Sequence, residues 1–355
     1  MQPETTPDPP PSALRLAIDG DGLIRNWRTL DALSGTARAG AAVKADGYGL
    51  GARVVVPLLY GAGCRDFFVA HWSEVPDLLD LVPPGAISVL HGPLTPEDAR
   101  FARATGVKPV INSVRQARLW REAGGGMCDV MVDTGINRLG LALADLADEG
   151  LAGLPVDLLM SHLASADEDV PLNAAQHQRW MEARAVLPHA RASLANSAGI
   201  ALGKDFHGDV TRPGLSLYGG IQRPELGGRI AQVARPQAAI VQLRTIQAGE
   251  GVGYNSTFVA GTAMRVGTIA LGYADGFLRC WSGTARFHAA GKVLPAIGRV
   301  SMDMTVIDVT EAPDIREGDW VEADYALPDA AAKSGLSQYE LLTLLGRRFS
   351  RKPCD

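Results

Sequence analysis

The most constraining feature of this sequence is an alternation of short apolar segments with longer amphipathic ones between about residues 36 and 215. Short apolar runs predict buried strands, and the longer segments have the periodicity of surface helices. Eight segments are predicted strands: 39–44, 66–70, 86–90, 108–112, 129–133, 156–162, 191–196 and 208–212. The clearest predicted helices are 51–63, 95–106, 113–125 and 172–187. Strands alternating with helices over this length favour a (β/α)8 TIM-like barrel. An open doubly wound sheet is the alternative and explains the strand count less well.

The pattern changes after about residue 225, where predicted strands are separated by glycine turns rather than helices. A single helix, 337–348, is predicted near the end, and residues 14–30 read as a strand of this later domain followed by the first barrel helix. The sequence therefore predicts an α/β chain with a C-terminal mostly-β domain. Its predicted parts are a disordered tail (1–11), a barrel (12–225) and the β domain (226–355).

Bulk properties exclude several classes of function. The 355 residues carry a net charge of -5 without a dominant basic segment, so no nucleic-acid partner is expected. No apolar run is long enough to span a membrane, and the acidic, proline-rich start lacks the features of a signal peptide. The four cysteines lack metal-ligand spacing, so no metal is predicted. These features predict a cytoplasmic protein.

Polar residues follow most of the predicted barrel strands. In such barrels the working residues lie at the carboxyl ends of the strands, so these side chains are expected to share one face. They are Lys44, Asn112, Asp133, Arg138, His162, Asn196, Ser197 and Arg212.

Lys44 is the candidate centre of that face. A lysine ending an apolar strand is partly desolvated, which lowers the amine pKa and makes it nucleophilic. The alternative is a lysine whose charged end simply reaches solvent. The glycine-rich ADGYGLG turn that follows, with Tyr48, favours a ligand site.

The segment RPGLSLYG (212–219) is a candidate phosphate site. The N–H groups of Gly214 and Leu215 are positioned to open a short helix, and the Ser197 hydroxyl is a further donor. An ordinary Pro-Gly turn is the alternative. A reactive lysine with a phosphate site suggests pyridoxal 5'-phosphate. A Schiff-base barrel aldolase shares both features, but its lysine is expected on a later strand and without a β domain.

With these motifs in view, the sequence resembles the alanine racemase family, a pyridoxal-phosphate-dependent barrel family, across nearly the whole chain. The motifs that carry the resemblance are AVKADGYGLGA (42–52), DTGINRLG (133–140), SHLASADE (161–168), NSAG (196–199), TRPGLSLYG (211–219), VGYNSTF (252–258), LGYADGF (271–277) and GRVSMD (298–303).

The resemblance implies an isomerase that interconverts L-alanine and D-alanine by two-base proton transfer, supplying D-alanine for peptidoglycan. It also implies a homodimer with shared active sites. Lys44 is then the Schiff-base lysine and the base on one substrate face, and Tyr273 of the partner subunit is the base on the other. The remaining implied roles are the pyridine-nitrogen contact (Arg212), its link to the tyrosine (His162), substrate-carboxylate contacts (Arg138 and the Met302 backbone, with Asp303 beside them) and cofactor contacts (Tyr48, Asn196, Ser197, Gly214 and Leu215).

Simple chemistry agrees with these implied roles. The ordinary tyrosine pKa is about 10, so a tyrosine base near neutral pH needs positive charge beside its phenolate. An arginine has a pKa above about 12 and does not protonate the cofactor ring, which limits side reactions such as transamination.

Two positions depart from the family pattern. Many members have a lysine, often carbamylated, two residues before the aspartate of the DTG motif, and it orients the substrate arginine; here that residue is Met131. Many also have a tyrosine near the C-terminus that reaches the phosphate, whereas no tyrosine follows Tyr339.

Three alternatives stay open on the sequence. A racemase for serine or another small amino acid differs only in pocket side chains that the sequence does not place. A pyridoxal-phosphate decarboxylase shares the architecture but uses a different second-domain motif, usually with a catalytic cysteine. A non-catalytic pyridoxal-phosphate carrier lacks the β domain, so the GYADG and GRVSMD motifs argue against it.

Overall fold

The structure is a computed structural model that describes residues 9–354. Most of the tail predicted to be disordered therefore lies outside the described residues. The chain divides into two units, Gly20–Val233 and a second unit formed by the residues up to Asp19 together with those from Ala234 onward. The first strand, β1 (Leu14–Ile18), belongs to the second unit.

The division between the units lies after Val233, whereas the sequence placed it after residue 225. The intervening segment stays with the first unit because it is bonded to the first helix, α1 (Gly20–Leu33). The buried Asn26 side chain donates to the Ala231 carbonyl at 2.9 Å and accepts from the Ala231 N–H at 2.7 Å. This long-range amide pairing has no local signature in the sequence.

The first unit is built on parallel strands, and each of the eight predicted segments overlaps at least one of them. The 39–44 segment overlaps two short strands rather than one. The strands are β2 (Arg38–Ala39), β3 (Ala41–Ala42), β4 (Phe67–Val69), β5 (Ile87–Val89), β6 (Lys108–Ile111), β7 (Cys128–Met131), β8 (Val156–Met160), β9 (Arg191–Ser193) and β10 (Val210–Thr211).

Strands β3 to β9 form one parallel sheet in sequence order, and β10 pairs with β2. The ring is completed by main-chain bonds around β10. Asp209 donates its N–H to the Ala192 carbonyl at 2.7 Å, and its own carbonyl accepts from Arg38 at 3.0 Å. Sequential order with closure is the topology of a barrel and not of an open doubly wound sheet, so the predicted fold class is confirmed.

The four clearest helix predictions are also confirmed. The helices of this unit after α1 are α2 (Lys44–Tyr48), α3 (Ala52–Ala62), α4 (Pro96–Thr105), α5 (Val114–Glu122), α6 (Pro171–Val186) and α7 (Ser197–Ala201). For α4, the Thr95 hydroxyl and the Asp98 carboxylate form a reciprocal capping box, and Gly106 ends the helix with a φ of 80°.

Charged side chains at the amino-terminal ends of the strands form a network across the floor of the barrel. Lys108 contacts Asp157 at 2.5 Å and Asp129 at 3.6 Å. Arg191 forms paired hydrogen bonds with both Asp66 and Asp157, at 2.8 and 3.0 Å in each case. Because Lys108 and Asp129 are almost fully buried, each charge depends on its partners.

Lys108→Met is therefore expected to destabilise the barrel by about 3–5 kcal/mol, because it leaves Asp129 buried without its cation. The measurement is the shift in the midpoint of urea unfolding. Lys292→Met, at an exposed position of the second unit, is the matched control. A decrease in the free energy of unfolding of less than about 1 kcal/mol, which is typical of a surface ion pair, would contradict the assignment of Lys108 and Asp129 to a buried ion-pair network.

The second unit is built mainly of strands. After β1 its elements are β11 (Ala234–Ile246), β12 (Gly251–Val252), β13 (Phe258–Val259), β14 (Met264–Ile269), β15 (Arg286–Ala289), β16 (Lys292–Ile297), β17 (Thr305–Asp308), β18 (Trp320–Ala323), α8 (Leu327–Ser334), α9 (Gln338–Thr343) and β19 (Ser350–Pro353). Eight of the strands form one sheet in the order β14-β17-β16-β15-β18-β11-β1-β19, and β11 also pairs with β14, which closes it. Strands β12 and β13 form a separate hairpin.

The terminal helix predicted over 337–348 is confirmed only over Gln338–Thr343, and it is not the single helix of this unit. The helix ends at Thr343, a further helix, α8, precedes it, and the chain ends in strand β19. The reason is long-range pairing: β19 lies parallel to β1, with Arg15 opposite Ser350, so the chain must leave the helix to reach that edge. In the described part of the chain, no helix is both long and apolar enough to cross a membrane.

Candidate active site

Lys44 opens a left-handed turn rather than ending a strand, because β3 stops at Ala42. Ala45, Asp46 and Tyr48 have φ angles of 54°, 53° and 56°. Residues other than glycine rarely adopt this backbone conformation, and each one that does lowers the stability of the fold by about 1–3 kcal/mol. The surrounding structure must therefore hold this turn in place.

Two carboxylates hold the lysine turn. Asp46 accepts the N–H of Ala52 at 2.6 Å. The Glu74 carboxylate accepts the N–H of Ala45 through one oxygen, and the N–H groups of Ala70 and His71 at 2.7 and 2.9 Å through the other. Glu74 thus ties the residue after Lys44 to the segment that follows β4. Sequence reasoning missed Glu74, since it lies beyond the strand end and carries no motif of its own.

The surroundings of Lys44 favour an uncharged amine. Burial is the largest effect lowering the Lys44 pKa, and the positive charges of Arg138 and Arg212 lower it further, whereas Glu74 acts in the opposite direction. An uncharged amine is the nucleophilic form of lysine. A lowered pKa is what the predicted imine-forming role of Lys44 requires, and the role itself stays a prediction.

Gly214 and Ser197 meet Tyr48 in a tight cluster after β9 and β10. The Ser197 hydroxyl accepts the N–H groups of Gly214 at 3.0 Å and Ser216 at 3.2 Å. A Cβ at Gly214 would lie 2.2 Å from the Tyr48 hydroxyl oxygen, so any larger residue there would displace the Tyr48 ring or the main chain. Tyr48 stacks on Tyr218 with ring centroids 4.8 Å apart.

The same cluster contains an unsatisfied donor. The Ser216 hydroxyl is buried and has no hydrogen-bond partner within residues 9–354. A buried hydroxyl without a partner is costly and points to a ligand atom. Leu215, another predicted phosphate contact, opens the short 3-10 helix Leu215–Tyr218 directly after Gly214. Asn196, also a predicted cofactor contact, caps α7 (Ser197–Ala201), where its side-chain oxygen accepts the Gly199 N–H at 2.8 Å.

Arg212 is a buried cation held in a fixed orientation. Its guanidinium donates to the Ser193 hydroxyl and to the Ser161 carbonyl, and only 7% of its surface is exposed. Burial lowers the Arg212 pKa to about 10, so the side chain stays charged near neutral pH. Burial, followed by the charges of Arg212, Arg138 and Lys44, lowers the His162 pKa to about 3, so this imidazole is neutral there.

Arg138 lies in an exposed loop after β7. The loop is shaped by Asp133, whose carboxylate accepts the N–H groups of residues 135, 136 and 137 at 2.8, 3.0 and 3.2 Å. Met131 points into an apolar cluster with Phe68, Leu158 and other buried side chains. This position therefore offers Arg138 no polar partner of the kind that the family's lysine provides.

Tyr273 lies in the second unit, on the short 3-10 turn Tyr273–Asp275. Its N–H donates to the Ser301 carbonyl at 3.0 Å, and the next N–H, of Ala274, donates to the Met302 carbonyl at 2.9 Å. The structure thus brings together Tyr273 and Met302, which are separated in sequence. Asp303, beside them, pairs with Arg348 at 2.7 Å, a contact that sequence reasoning missed.

Known protein families match both units of the chain. The family model for the alanine racemase N-terminal domain matches residues 18–222, and the family model for the C-terminal domain matches residues 233–353. The alanine racemase of Rhizobium meliloti is 41% identical over 364 residues, covering 95% of this chain and 96% of the relative. That of Acidiphilium cryptum is 40% identical over 349 residues, covering 95% and 97%.

Solved structures give the same result. The crystal structure of the Bartonella henselae alanine racemase with covalently bound pyridoxal phosphate has a TM-score of 0.88 and 32% identity, and covers 97% of this chain and all of that one. The biosynthetic alanine racemase of Pseudomonas aeruginosa has a TM-score of 0.84 and 30% identity, with 98% of this chain and all of that one covered. Together with the motifs around Lys44 and Tyr273, these matches show that the chain belongs to the alanine racemase family.

Proposed function

We propose that this chain interconverts L-alanine and D-alanine with pyridoxal phosphate, using Lys44 and Tyr273 as the two proton-transfer groups. The activity and the cofactor follow from the family, whose members match nearly the full chain. The observation that carries the site assignment is the desolvated Lys44 amine in a fixed turn, on the same unit as the Gly214–Ser197 cluster. A D-alanine supply for peptidoglycan and a cytoplasmic location remain predictions.

The described residues fit this cofactor. The cluster of Tyr48, Ser197, Gly214 and Ser216 brings three hydroxyl groups together, and that of Ser216 is buried without a partner within residues 9–354, as expected where a phosphate group binds. When bound, pyridoxal phosphate holds the substrate amine covalently and withdraws electrons from the neighbouring carbon. Tyr48 and Ser197 would hold the phosphate, and Lys44 would anchor the aldehyde carbon.

Gly214→Ala is expected to weaken cofactor binding by about 10- to 100-fold, which corresponds to about 1.4–2.7 kcal/mol. The added methyl group must displace the Tyr48 hydroxyl or the main chain that carries the phosphate donors. The measurement is titration of the apoprotein with pyridoxal phosphate. Gly61→Ala is the matched control, because a Cβ there meets no atom within 4 Å. Equal affinities for the two variants would argue against the assigned phosphate site.

The buried cation and the neutral imidazole have complementary roles in this proposal. Arg212 stays protonated, so it would donate a hydrogen bond to the pyridine nitrogen of a bound cofactor and would not transfer a proton to it. The neutral His162 imidazole is able to accept a hydrogen bond from Arg212 on one ring nitrogen and to donate to the Tyr273 phenolate from the other. Because the Arg212 cation polarises the imidazole, this pair of hydrogen bonds stabilises the phenolate form that a tyrosine base requires.

The two proton-transfer groups act on opposite faces of the Cα atom. On one face, Lys44 removes the Cα proton of D-alanine and, in the reverse direction, adds the proton that forms D-alanine. On the other face, Tyr273 removes the Cα proton of L-alanine and adds the proton that forms L-alanine. We assign Tyr273 to the partner subunit of a homodimer with shared active sites. Arg138 and the Met302 main chain bind the substrate carboxylate, with Asp303 beside them. With Met131 in an apolar cluster, the Asp133-shaped loop is what orients Arg138.

The test of the function is incubation of the purified holoenzyme with L-alanine in heavy water. Racemisation predicts deuterium at Cα together with growth of the D isomer until the two isomers are equal. A decarboxylase would release carbon dioxide, and a carrier protein would leave the substrate unchanged. Either result, or turnover of serine in preference to alanine, would contradict the proposal.

A further inference from the structure

Arg348 joins two turns of the second unit that carry predicted active-site residues. Its Nε atom donates to Asp275 of the GYADG motif at 2.6 Å, and its NH1 atom donates to Asp303 of the GRVSMD motif at 2.7 Å. Each carboxylate is one to two residues from a group assigned to the reaction, Tyr273 on one turn and Met302 on the other. One guanidinium therefore bridges the turn of the base and the turn of the substrate contact.

The Asp275 end of this bridge is anchored in the interior. The Asp275 side chain has no exposed surface, and its second carboxylate oxygen accepts the Gly272 N–H at 3.0 Å. The Asp275 carbonyl accepts the Gly346 N–H at 3.0 Å, two residues before Arg348. A buried carboxylate without its cation is costly, although the Arg348 side chain itself is about half exposed.

The two turns also touch through their main chains. A Cβ at Gly272 would lie 2.4 Å from the carbonyl oxygens of both Ser301 and Met302. The adjacent N–H groups of Tyr273 and Ala274 donate to the same two carbonyls. Contact this close means that the two turns move together, and Arg348, which binds a carboxylate on each, fixes the pair to the C-terminal segment.

We propose that Arg348 is a positioning residue for the Tyr273 base, acting through Asp275 and Asp303. This inference rests on the proposed role of Tyr273. The planar guanidinium is suited to two carboxylates at once, which a lysine ammonium at this position satisfies less well. The C-terminal segment thereby contributes to the site through Arg348, in the region where the family's tyrosine is missing.

The test measures loss of the Cα proton in heavy water, separately from L-alanine and from D-alanine, for the full-length holoenzyme. Arg348→Ala is expected to slow exchange from L-alanine about 10- to 100-fold more than exchange from D-alanine, because only the tyrosine face loses its alignment. Arg348→Lys is expected to recover part of the rate of exchange from L-alanine that Arg348→Ala loses. Arg347→Ala, at the adjacent exposed arginine, is the matched control and is expected to match the wild type.

Equal slowing of both enantiomers by Arg348→Ala, or no slowing, would overturn the inference. If Arg348→Ala does not fold, Arg348→Lys and Asp303→Asn carry the same comparison, since each weakens the bridge without leaving Asp275 unpaired. Tyr273→Phe in parallel separates the two claims. Selective loss with Tyr273→Phe but not with the bridge variants rejects only the role of Arg348, whereas no selectivity with Tyr273→Phe rejects both assignments.

Discussion

Lys44→Ala is expected to lower kcat for racemisation by at least about 10,000-fold, because the protein loses both its covalent anchor for the cofactor and one of its two bases. The variant is also expected to lose the yellow colour of a lysine-bound pyridoxal cofactor. Its fold is expected to persist, since Asp46 and Glu74 hold this turn through main-chain N–H groups that the substitution leaves in place.

The measurement is the visible spectrum together with intact mass after borohydride reduction, which fixes a cofactor attached to lysine. Lys292→Ala, at an exposed lysine of the second unit, is the control and is expected to keep both colour and activity. A reduced adduct that persists in Lys44→Ala would show that another lysine anchors the cofactor and would contradict the assignment.

Tyr273→Phe is expected to keep the colour but to slow Cα-proton exchange from L-alanine by about 100- to 10,000-fold, the usual contribution of a general base. Exchange from D-alanine is expected to stay within about tenfold of the wild type, because Lys44 still removes and returns a proton on its own face. The variant is thus expected to exchange the Cα proton of D-alanine without racemising it, because racemisation requires proton transfer on both faces.

Exchange is followed by mass spectrometry of alanine recovered from heavy water, beginning from each enantiomer. Tyr339→Phe, at a partly exposed tyrosine of α9, controls for the loss of a phenol elsewhere in the second unit. Equal slowing from both enantiomers would mean that Tyr273 has no preference for a face, and the two-base account would fail.

The apolar periodicity of the barrel predicted its strands well, because buried parallel strands depend on short local runs such as 66–70 and 86–90. The same reasoning failed at 39–44, where Lys44 opens a left-handed turn. Local preference disfavours that conformation for Ala45 and Asp46, and part of what holds it is Glu74, 29 residues beyond Ala45. No local pattern contains that information.

The second unit shows the same limit. The helix over 337–348 was predicted from composition, but the end of the chain is determined by pairing with β1 and by the Arg348–Asp275 bond across 73 residues. The GYADG and GRVSMD motifs identified the candidate residues, but they did not indicate that Arg348 binds an aspartate of each motif. Charges that are satisfied only in the folded state, such as Asp275 and Asp129, are found from the structure.

Mixing two inactive variants, Lys44→Ala and Tyr273→Phe, tests most directly whether these residues serve one carbon atom from different subunits. Random exchange makes half of the dimers hybrids with one intact site each, so the account predicts recovery of about a quarter of wild-type racemisation. Absence of recovery, with hybrid dimers verified by differently tagged subunits, would contradict it.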